Sequence, residues 1–305
     1  MNENPTTQPA PRQTQRYLRD LFQCNRLHPK NKLGQNFLID LNLVDFLVKS
    51  ADLTRADLAV EIGSGTGSLT AKLAELAGSV LSVEIDPAFH ALALETVHGH
   101  DNVRIINADA LKNKNLINPD VFTNLEEMKA KYQPQHVKLV ANLPYAIATP
   151  LITNLLIAGT DIDRMIVTVQ WEIAERLTAR PNTKDYGALA VLVQSLADVE
   201  ILRKLAPTVF WPKPQVDSGI VRIIPNAEKR RQVADVQRFR YFLRDLYSHR
   251  RKNLRGGLIS VTGHQHEKAI VDAKLAEIGY TGTERAETLS IEQHLQLCEA
   301  FRPPE

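Results

Sequence analysis

Cysteine is almost missing from this chain of 305 residues: Cys24 and Cys298 are the only two, near opposite ends and without CxxC spacing. Neither a disulfide framework nor a zinc site is therefore expected, and a reducing compartment fits. The nine histidines show no HxxxH spacing, so no metal site is expected. No run of about 18 consecutive apolar residues occurs, which argues against a membrane-crossing helix. The opening MNENPTTQPAPRQTQ has no apolar core of the kind a secretory signal needs. A cytoplasmic protein without membrane contact is the expectation, and nothing in the sequence demands more than a monomer. With 44% hydrophobic and 24% charged residues, the chain is neither wholly disordered nor collagen-like. Its length suits about two domains.

The net charge of +2 conceals an asymmetry. Residues 201–260 carry 14 Lys plus Arg against 4 Asp plus Glu, a local excess of +10 that leaves about −8 for the remainder. Such a segment suits a polyanionic partner, or equally a solvated helical face. Within it, Arg250, Arg251, Lys252 and Arg255 form a basic run on an expected helix. Phosphate contacts and ion pairs to the acidic body both account for that run.

Residues 1–25 begin rich in Pro, Thr, Gln and Asn and are expected as a disordered or weakly ordered tail, although 16–24 also has the spacing of a short amphipathic helix. Five β-branched runs follow: DLAVEIG, SVLSVEID, NVRIINAD, HVKLVANLPY and RMIVTVQ. Amphipathic stretches near 67–77, 87–98 and 147–158 separate several of them. This alternation predicts an α/β fold with a parallel, doubly covered sheet, whose ligands bind beyond the carboxyl ends of the strands. Residues 110–135 read as a polar loop with a short helix. From about Val233 only helical patterns appear, at 235–247, 250–259, 267–278 and 290–301, with Ser290 as an N-cap. A boundary near Asn226 divides the chain into 26–225 and a smaller all-α part, 226–305.

Four strand ends carry the chemistry. Gly63, Gly65 and Gly67 in EIGSGTGS follow a strand and open a helix, where side-chain-free positions let the backbone approach a ligand. The order is GxGxG rather than the dinucleotide GxGxxG. Glu84, 17 residues beyond Gly67, ends the next strand and could accept from both hydroxyls of a ribose, or merely start a helix. Asp109 ends the third and could accept from an adenine amino group, or serve as a turn residue. Asn142-Leu143-Pro144-Tyr145 ends the fourth. An exocyclic adenine amine is nearly planar and weakly nucleophilic. The Asn142 oxygen and the Leu143 carbonyl could accept its two N–H bonds and stabilise the charge that develops on nitrogen. Pro144 fixes the backbone without offering a competing N–H, and Tyr145 supplies a π face for an extruded base. Tyr186 with Gly187 is expected on the cofactor-side wall, and Trp211 in the core or as a stacking platform.

These blocks resemble the ribosomal RNA adenine dimethyltransferase family. KLGQNFL, VEIGSGTGSLT, VEID, Asp109-Ala110 and ANLPY stand in its order and spacing. VQWEIAERL, DYGALAVLVQ, PTVFWPKPQVDSGIVRI, RRKNLRG and RAETLSIEQ continue the match over about residues 30–295. The branch it looks most like is the small-subunit 16S rRNA enzyme, which makes N6,N6-dimethyladenosine at two adjacent adenosines in a 3′-terminal hairpin. The resemblance implies a Rossmann-like class I methyltransferase sheet using S-adenosylmethionine. It implies cofactor contacts from Asn36, Leu38, Gly63, Gly65, Glu84, Asp109 and Asn142. Phe210 is implied as the aromatic facing the target base opposite Tyr145, and the helical domain with Arg250, Arg251 and Lys252 as the seat of the 16S rRNA. Ser64 stands where the family usually has Pro, and Trp171 where Lys is common. A 23S rRNA dimethylase and a non-catalytic assembly factor of the same fold are the rival readings. A DNA adenine methyltransferase would more typically carry Pro at the second position of the tetrad, and nothing in NLPY serves hydride transfer.

Overall fold

The computed structural model describes residues 15–30, 33–248, 252–261 and 268–302. Helix α1 (Gln15–Cys24) opens it, with Leu18 and Phe22 buried. The ring of Phe22 meets Phe37 and Phe89 edge-on, at 5.2 Å between centroids in both pairs. Aromatic burial of this kind is enough to anchor a short helix. A weakly ordered tail reaching residue 25 is therefore not what the chain forms over 15–24, and residues 1–14 lie outside the described residues.

Strand β1 (Phe37–Leu38) and helix α2 (Leu41–Ser50) come next, α2 being capped by the Asp40 side chain. Three strand–helix repeats of the expected kind begin with β2 (Asp57–Ile62), α3 (Ser68–Leu76), β3 (Ser79–Glu84), α4 (Pro87–Thr96) and β4 (Val103–Asn107). The polar connection after Asp109 holds a small hairpin, β5 (Leu111–Asn113) with β6 (Leu116–Ile117). It then forms α5 (Pro119–Tyr132), longer than the short helix expected there. Asn118 as cap and Pro119 at the first turn explain where α5 begins.

The chain continues through β7 (His136–Asn142), α6 (Tyr145–Ala158), β8 (Arg164–Gln170), α7 (Trp171–Leu177), α8 (Ala188–Gln194) and β9 (Ala197–Leu205). Then follow β10 (Phe210–Trp211), β11 (Ser218–Pro225) and the helices α9 (Ala227–Arg231), α10 (Val236–Ser248), α11 (Leu254–Val261), α12 (Lys268–Glu277) and α13 (Ile291–Ala300). Ser290 caps α13 in a full capping box with Gln293.

The main sheet runs in the order β4-β3-β2-β7-β8-β11-β9, and β4, β3, β2, β7 and β8 are parallel neighbours. Every residue of β2 and β3 is buried, as a sheet covered on both faces requires. Successive strands step outward from β2 to β4, then return to β7 on the other side of β2. That reversal opens a crevice beyond the carboxyl ends of β2 and β7. At the opposite end, Lys138 bonds the buried Asp57 at 2.8 Å and the Asp52 carbonyl at 2.6 Å. Burial alone would raise the Asp57 pKa, but the bonds from Lys138 and Thr54 outweigh it and hold the carboxyl below its ordinary value.

Compactness groups the chain differently from a single boundary at Asn226. Of the described residues, one unit takes those within 15–151, 161–170 and 203–220, and the other those within 152–160, 171–202 and 221–302. In the second unit Tyr186 is buried, and its hydroxyl donates to the Leu289 carbonyl at 3.0 Å. Tyr186 therefore belongs to this unit's core and not to a cofactor wall. His294 stacks on Tyr247 there at 5.8 Å. Among the described residues no helix is long and apolar enough to cross a membrane, and no group of three or more potential metal ligands gathers.

Candidate active site

The crevice at the reversal is a cleft with a cavity volume of about 220 Å³. Its floor is the glycine loop. Gly63, Gly65 and Gly67 have φ of 90°, 54° and 80°, the left-handed region that favours glycine. A Cβ on Gly65 would lie 2.9 Å from the Phe37 ring, so the loop also needs glycine for close packing. The Gly65 N–H donates to Glu84 Oε2 at 2.9 Å, and the Asp86 N–H donates to Glu84 Oε1 at 2.9 Å. Burial pushes the Glu84 pKa up against these two bonds. Each carboxylate oxygen keeps acceptor capacity toward the cleft. The helix-start role falls instead to Asp86, whose Oδ1 accepts from the Ala88 N–H and whose Oδ2 pairs with Lys30 at 2.8 Å.

Asp109 stands exposed at the cleft edge. Its Oδ1 accepts from the Leu111 N–H at 2.9 Å, closing a turn, while the residue still lines the cleft. Both readings of Asp109 are thus compatible in one place.

On the other side, the tetrad begins at the end of β7. The Asn142 amide nitrogen donates to the Asn36 carbonyl at 2.8 Å, and Asn142 Oδ1 accepts from the Thr168 hydroxyl. Pro144 lies against the glycine loop: a Cβ on Gly63 would be 3.4 Å from its ring. The Tyr145 hydroxyl shares a 2.6 Å hydrogen bond with Ser218. β1 pairs with β10, setting Leu38 opposite Phe210 and Phe37 opposite Trp211.

The structure therefore brings Asn36, Leu38, Gly63, Gly65, Glu84, Asp109, Asn142 and Pro144 to one cleft. Leu143, Tyr145 and Phe210 do not line it; Leu143 and Phe210 are buried and Tyr145 is half-buried. Phe210 stands in the β1–β10 ribbon with its side chain buried. Trp211 packs against the cluster around Phe22, which is the core reading. Arg250 and Arg251 lie outside the described residues. Lys252 is exposed, with its ammonium 3.3 Å from the Ser260 hydroxyl, and Arg255 pairs with Asp272. Arg222, Lys229 and Arg238 likewise pair with Glu200, Asp198 and Glu299, so much of the local positive excess is internally matched.

Three residues went unnoticed in the sequence as site residues. Glu61 lines the cleft and is wholly buried, accepting from Thr70 at 2.5 Å and from Ser82 at 2.6 Å. Burial pushes its pKa up to about 7, against those two hydrogen bonds and with help from the Glu84 charge. Ser64, the departure from the family's Pro, ties the loop into this network through a 2.6 Å bond to Ser82. Thr168 was hidden in a strand as one more β-branched residue.

This donor and acceptor set fits a nucleoside sulfonium. A carboxylate sits at a strand end for a hydroxyl pair, glycines admit the backbone, and apolar Phe37, Leu38, Ile85 and Ala110 line the walls. The comparisons agree. A "Ribosomal RNA small subunit methyltransferase A" from Pelotomaculum thermopropionicum is 38% identical over 289 residues, covering 93% of this chain and 95% of that one. The relative of the same name from Halothermothrix orenii is 38% identical over 261 residues, covering 86% and 84%. Among solved structures, a dimethyladenosine transferase from Plasmodium falciparum superposes with a TM-score of 0.69 at 24% identity, covering 85% and 94%, which bears on the fold alone. The 23S rRNA methyltransferase ErmE gives a TM-score of 0.60 at 26% identity, covering 87% and 99%. The family model for ribosomal RNA adenine dimethylases matches residues 26–302, and with the strand-end cleft just described, the chain belongs to that family of S-adenosylmethionine-dependent methyltransferases.

Proposed function

We propose that this protein methylates N6 of two adjacent adenosines in the 3′-terminal hairpin of 16S rRNA, giving N6,N6-dimethyladenosine during small-subunit biogenesis. The observation that carries this reading is the Asn142 amide held against Asn36, in the same cleft as the glycine loop and Glu84. The small-subunit substrate is favoured over the 23S one by relatives of that name at 38% identity, against 26% for ErmE.

In this reading Glu84 takes the ribose hydroxyls, and the free oxygen of Asp109 takes the cofactor's adenine amine. Asn36, Leu38, Gly63 and Gly65 complete the cofactor contacts. S-adenosylmethionine would supply a methyl already activated on sulfur and leave as the neutral thioether, and the methylated nitrogen would release its extra proton to water, so no strong base is asked of the protein. Asn142 Oδ1, with one lone pair engaged by Thr168, offers the other to an N–H of the target amine, and the Leu143 carbonyl accepts the second N–H. Both acceptors gain strength as positive charge develops on nitrogen. Pro144 holds the turn, and Tyr145 stacks on the base. Phe210 is assigned to the opposite face, which requires its ring to be uncovered when RNA binds. Arg250, Arg251 and Lys252 seat phosphates, with 226–305 as the RNA-seating part and 26–225 as the catalytic part. A cytoplasmic monomer suffices for all of this.

The test uses radiolabelled S-adenosylmethionine with undermethylated small subunits, large subunits and duplex DNA in parallel, followed by nucleoside analysis. Dimethyladenosine from small-subunit RNA alone is expected. Label confined to the large subunit would support the 23S reading, and no label despite cofactor binding would support a non-catalytic assembly factor.

A further inference from the structure

We propose that two buried hydroxyls on neighbouring strands, Thr168 and Ser218, are the positioning residues of the tetrad, each holding one of its working side chains in a single orientation. The inference rests on the roles given above to Asn142 and Tyr145.

Thr168 on β8 is the register partner of Asn142 on β7. Register partners in a parallel pair project to the same face, so the strand pairing itself delivers the hydroxyl to the amide. Thr168 has no exposed surface, and its hydroxyl donates to Asn142 Oδ1. A strand position serving packing alone would be filled as well by Val, which has the same shape and no polar group to satisfy.

What the hydroxyl adds is orientation. The oxygen and nitrogen of a side-chain amide are close in size, but only the oxygen can accept from a substrate amine. A flipped Asn142 would point N–H groups at N–H groups. Two constraints oppose that flip: the Asn36 carbonyl can only accept and so selects the NH₂ end, while Thr168 donates to the oxygen end.

Ser218 opens β11, the strand beside β8 in the sheet, and is also fully buried. Its hydroxyl is 2.6 Å from that of Tyr145, whose ring is half-buried. Burial raises the Tyr145 pKa, so the phenol stays neutral. A neutral phenol held at its far end by a fixed partner cannot swing about its side-chain torsions. The ring face is thereby set before a base arrives.

The test is a pair of double-mutant cycles read by single-turnover methylation of small subunits at saturating S-adenosylmethionine. Thr168→Val is expected to slow transfer about 10- to 100-fold, the scale for a displaced reacting group, and Thr168→Ser to recover most of that loss. In an Asn142→Ala background Thr168→Val should cost nothing further, because its effect passes through Asn142. Ser218→Ala and Tyr145→Phe should each cost about fivefold, the scale of one neutral hydrogen bond, and no more when combined. Equal losses in both backgrounds would assign these residues a structural role and overturn the inference. Wild-type rates for Thr168→Val beside a crippled Asn142→Ala would overturn it too, while leaving the site reading intact. Near-normal transfer by Asn142→Ala would instead remove the reading underneath. If Thr168→Val shows no cooperative thermal transition, Thr168→Ala takes its place in the cycle.

Discussion

The two sides of the cleft meet at one reversal of strand order but are made of opposite materials. At the carboxyl ends of β2 and β3 stand two buried carboxylates, Glu61 and Glu84, held by hydroxyls and backbone N–H groups. Around the carboxyl ends of β7 and β8 the groups are neutral: the Asn142 amide, the Thr168 hydroxyl and the Tyr145 phenol. Carboxylates suit a binding surface that must grip hydroxyls strongly, because charge-assisted bonds are about twice as strong as neutral ones. Neutral acceptors suit the reacting side, where the amine must be gripped more tightly in the transition state than before it. The contrast also divides sensitivity to pH, since only the first side can titrate near neutrality.

Titration is the strongest way to break that contrast. Glu61 binds its proton more tightly in the fold, with a pKa about 7 against an ordinary 4.5. Its contribution is therefore fully present below pH 4.5 and is lost as pH rises through about 7. At 1.36 kcal/mol per pKa unit the loss is about 3 kcal/mol. Glu61→Gln, neutral throughout, should gain stability relative to the parent by that amount between pH 4.5 and 8 in urea unfolding. A difference independent of pH would mean that Glu61 is ionised throughout.

On the neutral side, Asn142→Ala should keep cofactor affinity yet lose at least ~100-fold in methyl transfer, the scale for one preorganised donor or acceptor. Its rate should show no new pH dependence between 6 and 8. A parallel collapse of cofactor binding would blur the division between the two sides.

Glu84→Ala sharpens the division from the binding side. Removing one charge-assisted hydrogen bond to a ribose hydroxyl costs about 1.5–3 kcal/mol, so calorimetry should show cofactor affinity falling at least about tenfold. Unchanged affinity would place the ribose elsewhere. The smallest effect lies outside the cleft: Ser290→Ala removes the cap of α13 and should cost about 1 kcal/mol without altering the rate of methyl transfer. A slowed rate there would show that α13 matters to the reaction and not only to the fold.

Much of the cleft was legible along the chain because its parts are strand ends. Gly63, Glu84, Asp109 and Asn142 each close a β-branched run, and a parallel sheet places such residues on one edge whatever the details of packing. The Ser290 cap was legible for a similar reason, being a local contact with Gln293. The burial of Phe210 was not legible, because a ribbon of two residues per strand, β1 with β10, leaves no periodic signal. Tyr186 was misplaced because its partner, the Leu289 carbonyl, is 103 positions away. Helix α1 shows the intermediate case: its spacing was visible, but the aromatic contacts of Phe22 that stabilise it were not.

The sequence by itself determined the alternation of strands and helices, the residue types at the strand ends, and through them the class of cofactor and the family. These are local properties, set by side-chain periodicity and by what glycine, carboxylate and amide groups can do at the end of a strand. Only the tertiary structure decided which hydroxyl meets Asn142, which serine anchors Tyr145, and how deeply Glu61 is buried. Those outcomes depend on strand register and on the removal of water from particular atoms, and neither is written in any one segment of the chain.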